Sequence, residues 1–255
     1  MTGETLELTI RIAARPETVY RFLVDPERFK LWMGGSALLD NGRLEIRYPS
    51  GDTALGEILE TVPGKRVVYS YGYANNVNGM PPGSTRLTIE LSPYAGGTEV
   101  TLLHEGLPDE AQRDGHRMGW KHYAAKLAAS VTARELAALL PDLLERYQSV
   151  WNETDRTRRM RLIHSVWEEN AVYRDAMSYA SGWNDLDGLI AGAQMTAPGL
   201  RLEVDAATAS ECQGSIGFKW QTRLPSGQVF ATGTCFGTVT GEGKLREVTG
   251  FFDRR

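Results

Sequence analysis

Apolar residues alternate in some stretches of this chain and recur every three to four residues in others, and the changes of period mark its elements. In LELTIRI, Leu6, Leu8, Ile10 and Ile12 share one face, the pattern of a half-buried strand. Pro16 then suits the first turn of a helix, where its missing N–H costs nothing, and Val19, Phe22 and Leu23 follow at helical spacing. Asp25 before Pro26 predicts a cap and a second short helix, with Phe29 and Trp32 on its apolar side and Gly34-Gly35 as its stop. Strand patterns fill residues 37 to 107. Leu44, Ile46 and Tyr48 alternate with charged neighbours; Val67, Tyr69, Tyr71 and Tyr73 share a face; Leu87, Ile89 and Leu91 share another. Pro63-Gly64 and Gly96-Gly97 read as turns, and NNVNGMPPGS reads as a loop. Short turns between successive strands predict an antiparallel sheet. A long helix follows, with His116, Trp120, Tyr123 and Leu127 in one stripe, and it closes a unit near residue 130.

A second unit starts afresh. Leu136, Leu139, Leu140, Leu143, Tyr147 and Trp151 form the inner side of a helix that Pro141 is expected to kink or split. Ile163, Val166 and Trp167 mark a second helix, with Thr154 or Asp155 as its cap, and NDLDGLIAGAQMTA marks a third. Four strand-like segments follow: LRLEVDAATA, SIGFKWQTRLP, QVFATGTCFGTVT and KLREVTGFFD. The predicted class is α+β in two domains, 1–130 and 134–255. The length of 255 residues agrees, at about 1.7 times a typical ~150-residue domain.

Composition narrows the function classes. Apolar residues at 42% and charged residues at 24% describe a folded chain rather than a disordered one. A net charge of −4 provides no basic field for phosphate backbones, so nucleic acid is not an expected partner. No apolar run is long enough to span a bilayer, and MTGETLELTI does not have the form of a secretory signal. The expectation is a cytoplasmic protein without membrane insertion. Cys212 and Cys235 form no CxxC pair and read as buried free thiols. The four histidines form no HxH or HExxH pattern, so neither a metal nor another cofactor is expected. His116 reads as a core histidine, and His104-Glu105 as the end of a strand with edge or loop contacts.

The residues IRIAARPETVYRFLVDPERFKLWM, PGKRVVYSY, STRLTIELSP, GGTEVTLLHEGLPDE and GHRMGWKHYAAKLA carry a resemblance across the first unit. It resembles the SRPBCC superfamily with its START-like helix-grip fold, in the branch of activator of heat-shock protein 90 ATPase homologues. The resemblance implies an antiparallel sheet wrapped on a long C-terminal helix, often with an apolar cavity between them. It also implies a role as a chaperone partner. In the family that activity leans on a further N-terminal domain, whereas this chain is expected to start directly at the first strand. ERYQSVWNETD, IHSVWEENAVYRDA, GWNDLDGLI and REVTGFFD carry a second likeness, to the SnoaL-like family of the nuclear transport factor 2 superfamily. That likeness implies a cone-shaped α+β barrel, with three N-terminal helices and a curved antiparallel sheet around a pocket. Its members include polyketide cyclases and ketosteroid isomerases.

Candidate chemistry follows from both halves. Asp175, in VYRDA, falls where isomerases of the second superfamily carry a carboxylate base, and Tyr147 falls near their phenol donor. A carboxylate beside a bound carbonyl can shuttle a proton, and a phenol can hold the developing enolate oxygen. The competing reading makes Asp175 a turn residue and Tyr147 a core residue. Trp151 joins the pocket side, and Lys219 and Gln221, on one strand face, are candidate donors. In the first half, Trp32, Tyr69, Tyr71, Trp120 and Tyr123 are candidates for one aromatic cavity, with a filled core as the alternative. The leading function is binding of a small hydrophobic molecule in these cavities. The alternatives are a cyclase or isomerase using Asp175 and a chaperone partner. Phe230 and Phe236 are read as sharing an outer sheet face, which predicts a homodimer through the second domain.

Overall fold

The structure, a computed structural model, describes residues 5–34, 36–76 and 79–253. Residues 1–4 of the stretch read as lacking a signal, Gly35 of the helix stop and Val77-Asn78 of the loop lie outside the described residues. The chain is mixed α+β and divides into two compact units, Met1–Thr132 and Ala133–Arg255. No helix among the described residues is long and apolar enough to cross a membrane.

In the first unit, strand β1 (Leu6–Ile12) leads into helices α1 (Pro16–Val24) and α2 (Pro26–Met33). Asp25 caps α2 as predicted, its Oδ1 accepting from the N–H groups of Glu27 and Arg28 at 3.0 Å. Six strands follow: β2 (Ala37–Asp40), β3 (Arg43–Arg47), β4 (Thr53–Val62), β5 (Arg66–Tyr73), β6 (Thr85–Tyr94) and β7 (Gly97–Glu105). They form one antiparallel sheet in the order β1-β7-β6-β5-β4-β3-β2. Register pairs Leu8 with Leu102 and Ile10 with Val100, so like faces meet. Helix α3 (Glu110–Asn152) follows, and its Trp120, Leu127 and Val131 enter the core of this sheet.

One expectation fails along α3: Pro141 does not split it, and the helices read on either side of residue 130 are one helix with Pro141 inside it. Apolar residues on both sides of the proline, Leu136, Leu140, Leu143 and Leu144, are buried in the second core, and that packing outweighs the lost hydrogen bond.

The second unit continues with α4 (Arg156–Val166), β8 (Trp167–Arg174), β9 (Tyr179–Ser181), α5 (Trp183–Thr196), β10 (Arg201–Cys212), β11 (Ser215–Arg223), β12 (Val229–Val239) and β13 (Leu245–Phe252). The cap of α4 is Asp155, whose Oδ1 accepts from Arg158 N–H at 2.8 Å. The sheet order is β10-β11-β12-β13-β8-β9, antiparallel except for the parallel β13–β8 pair. The expected all-antiparallel sheet of four strands is therefore corrected to six strands. Strand β8 returns to the last strand by a long crossover, which permits parallel pairing. Buried Arg159 and exposed Arg156 both grip Asp187 of α5 (2.7 and 2.9 Å), tying α4 to α5.

Candidate functional site

A cavity of about 220 Å³ opens inside the second unit, with mostly apolar walls. Tyr147 and Trp151 of α3, Tyr173 of β8 with the adjacent Asp175, Trp220 of β11 and Cys235 of β12 line it. Tyr147 is wedged by ring contacts to Phe218 at 5.3 Å and Trp167 at 5.9 Å, and Trp151 stands 5.1 Å from the Tyr173 ring. A void near 150 Å³ already holds benzene, so this cavity suits a small cyclic guest.

Asp175 follows the last residue of β8. Its Oδ2 accepts from Tyr173 O–H at 3.0 Å and its Oδ1 from Met177 N–H at 2.8 Å. It is thus both a turn residue and part of the cavity wall. Gly250 of β13 makes room for it: a Cβ there would lie 3.3 Å from Tyr173 Oη and 3.4 Å from Asp175 Cβ. Burial pushes the Tyr173 phenol up, and the Asp175 charge adds to this. Burial likewise holds the Tyr147 phenol far above its ordinary value and pushes the Cys235 thiol up to about 12. Both phenols are donors, and Cys235 is a neutral wall residue rather than a nucleophile.

Two indole donors stand out. The Nε1 atoms of Trp151 and Trp220 are buried without a hydrogen bond of ordinary geometry, the Tyr147 hydroxyl and the Cys235 sulfur beside them being approached too loosely to satisfy them, and both residues line the cavity. An unmade buried hydrogen bond costs about 1–3 kcal/mol, and an acceptor on a guest recovers it. Trp167 Nε1 and Glu211 Oε2 are also unsatisfied, but neither residue lines the cavity.

Lys219 and Gln221 do not join this site. Ile216, Phe218 and Trp220 of β11 point into the core, so strand parity turns 219 and 221 outward. Gln221 Nε2 donates instead to Glu203 at 2.6 Å, and Lys219 is exposed. Tyr173, Trp220 and Cys235 were not singled out from the sequence. The alternation of Phe218 with Trp220 was the available signal for one of them.

The first unit separates its five aromatic candidates. Trp32 Nε1–H donates to Phe22 O at 2.9 Å and Tyr69 O–H to Leu23 O at 2.6 Å. Both serve the free carbonyls at the end of α1, inside a packed core. The space beside Trp32 measures only about 10 Å³. Tyr71, Trp120 and Tyr123 do come together, along an open cleft of about 570 Å³ that Tyr48, Asp52, Tyr73 and His116 also line. His104 is fully buried, not an edge residue, because it continues the inward face of Val100 and Leu102. Cys212 is exposed, against the expectation of two buried thiols.

Residues 13–132 match the family model of Activator of Hsp90 ATPase homolog 1-like proteins. The likeness read from the first half is shown by that match, which spans nearly all of the first unit. No curated protein matches the chain. Among solved structures, the chain is similar to a putative isomerase of the SnoaL-like family from Agrobacterium tumefaciens. The identity is 29% and the TM-score 0.42, over 44% of this chain and 96% of that one. It is also similar to an AHSA1-like protein from Rhizobium etli, at 30% identity and TM-score 0.39, over 50% of this chain and 81% of that one.

Proposed function

We propose that this protein binds a small apolar carbonyl compound in the cavity of its second unit. The reading takes the first unit as a helix-grip fold and the second as a cone-shaped α+β barrel that pairs with a second copy through its sheet. The observation that carries it is the pair of unsatisfied indole donors, Trp151 Nε1 and Trp220 Nε1, in the wall of an apolar cavity. A hydrocarbon guest fills the space but leaves both donors unmade. A ketone oxygen can satisfy one of them.

The test is thermal unfolding and tryptophan fluorescence of the full chain with cyclic ketones and their matching hydrocarbons. Ketones are expected to raise the melting temperature by mass action and to perturb the indole emission. Trp220→Phe should weaken ketone binding by about tenfold, the value of one net hydrogen bond, and leave the hydrocarbon unaffected. No shift with any ketone rejects the reading.

A second reading rests on Asp175. Its carboxylate sits in the cavity wall with Tyr173 as an O–H donor at 3.0 Å. A base there takes a proton from the carbon beside the bound carbonyl and returns it to a different carbon of the resulting dienolate, which shifts a double bond; in a guest with a second carbonyl, the enolate carbon instead attacks that carbonyl carbon, and its oxygen takes the proton. Deuterium exchange into a bound enolisable ketone, followed by NMR, reads this step. Asp175→Asn should abolish the exchange with folding intact, and unchanged exchange removes Asp175 from the role.

A further inference from the structure

The cleft of the first unit has a chemistry of its own. The Tyr48 ring stands 6.4 Å from that of Tyr73 and 6.1 Å from that of Tyr123, so three phenol rings surround one space. The hydroxyl hydrogens of Tyr48, Tyr71 and Tyr73 are committed in one direction. Gln112 O, 2.7 Å from His116 Nδ1, can only accept, so Nδ1 keeps its hydrogen and Nε2 of the neutral ring is an acceptor. Tyr73 O–H donates to that Nε2 at 3.3 Å, and Tyr71 O–H donates to Tyr73 Oη at 3.3 Å. With the Tyr71 hydrogen used, Tyr48 must donate to Tyr71 Oη at 2.9 Å. Tyr48, Tyr71 and Tyr73 therefore have no hydrogen left for a guest, and each offers only lone pairs and its ring face.

The charge in the cleft points the same way. The Asp52 carboxylate lines it, and among the described residues that line it there is no lysine or arginine. Burial raises the Tyr73 phenol and the nearby Asp52 charge adds to this, while burial lowers the His116 imidazole. His104, in ring contact with His116 at 5.2 Å, is held neutral as well. Lys126 Nζ stands 5.7 Å from the Tyr123 centroid, so that ring already serves a resident cation and the Tyr48 and Tyr73 faces are those left for a guest.

We propose that this cleft binds a small organic cation, a quaternary or protonated amine, on the ring faces of Tyr48 and Tyr73, with Asp52 as the counter-charge. Electron-rich ring faces attract a weakly hydrated cation, and a carboxylate at the edge adds to the attraction. The proposal concerns the first unit and stands apart from the carbonyl site.

The test is calorimetric titration of the full chain with choline, with its uncharged carbon isostere 3,3-dimethylbutan-1-ol, and with benzoate. Choline is expected to bind about tenfold more tightly than the isostere, and benzoate more weakly than either. Asp52→Asn should weaken choline severalfold and leave the isostere unchanged. This variant alters an exposed turn contact, Ser50 Oγ to Asp52 Oδ2, so folding is preserved. Tyr48→Leu should lose choline binding, whereas Tyr48→Phe, which keeps the ring face, should retain most of it. The proposal is overturned if the isostere or benzoate binds as well as choline, if choline fails to bind at tens of millimolar, or if Asp52→Asn changes nothing. Ketone-induced stabilisation in Asp52→Asn separates this outcome from the fate of the second-unit reading.

Discussion

His104 shows how one buried side chain sets a pH dependence for the whole first unit. Trp120 Nε1–H donates to its Nδ1 at 3.0 Å, so the ring hydrogen sits on Nε2, which donates to Thr85 Oγ1 at 2.9 Å. Thr85 in turn donates to Tyr71 O at 2.8 Å. Every polar atom is satisfied by a neutral imidazole, and a second proton has no acceptor. Burial first, and then the neighbouring His116, lower this imidazole from 6.5 to about 3. Between those values the unfolded chain binds a proton that the folded chain refuses. The contribution to stability is therefore complete above the unfolded value and falls as pH drops toward the folded one. The slope is about 1.4 kcal/mol per pH unit, or roughly 2 kcal/mol lost by pH 5. Urea titrations at pH 7 and pH 5 should show this loss in the natural chain and a smaller one in His104→Gln. Equal losses in both would place the acid sensitivity elsewhere.

At the scale of elements, the contact between α4 and α5 depends on Asp187. Burial alone raises its carboxyl, but hydrogen bonds from Arg156 and Arg159 outweigh that and hold it below the ordinary range. Arg159 is only 3% exposed, so Asp187→Ala leaves a guanidinium charge buried without its counter-ion. The expected cost is about 3–5 kcal/mol in urea unfolding, and Arg159→Met combined with Asp187→Leu should recover most of it. If the single variant is as stable as the natural chain, solvent has reached Arg159 and the tie is not buried. Elements also show where sequence patterning gave out. Strands β1, β3 and β6 were legible because their apolar residues alternate with charged or polar neighbours. Strand β8 was read as more helix, because Trp167 and Ala171, four residues apart, satisfy both periods. Of the five aromatics grouped by the sequence pattern, Tyr71, Trp120 and Tyr123 lie along one cleft, whereas Trp32 and Tyr69 lie in the packed core. Nothing in the sequence tells which phenol or indole will meet a carbonyl at a helix end. Lys219 and Gln221 were paired correctly on one face, but the pattern does not say which face is inward until Trp220 is seen in the cavity wall.

At the scale of the whole molecule, each unit has its own core, and the open question is what covers the outer face of the second sheet. Phe236 is 56% exposed and Phe251 is 55% exposed, with ring centroids 6.0 Å apart. Phe236 opposes Thr249 and Phe251 opposes Thr234, so the two rings are diagonal neighbours on adjacent strands. Phe230 was expected to join Phe236 but lines the cavity instead, while remaining 47% exposed. The register of β12 shifts beside it, with Ala231 opposite Thr222 and Val229 opposite Arg223, and the extra residue of that bulge re-aims the ring. The outer patch is therefore Phe236 with Phe251, and a second copy of the same sheet offers it a matching apolar surface. Light scattering at micromolar concentration should give twice the monomer mass. Phe236→Lys combined with Phe251→Lys should give the monomer, with ketone binding retained, since neither ring lines the cavity. A monomeric natural chain rejects the pairing. A dimer that survives both substitutions moves the interface to another surface.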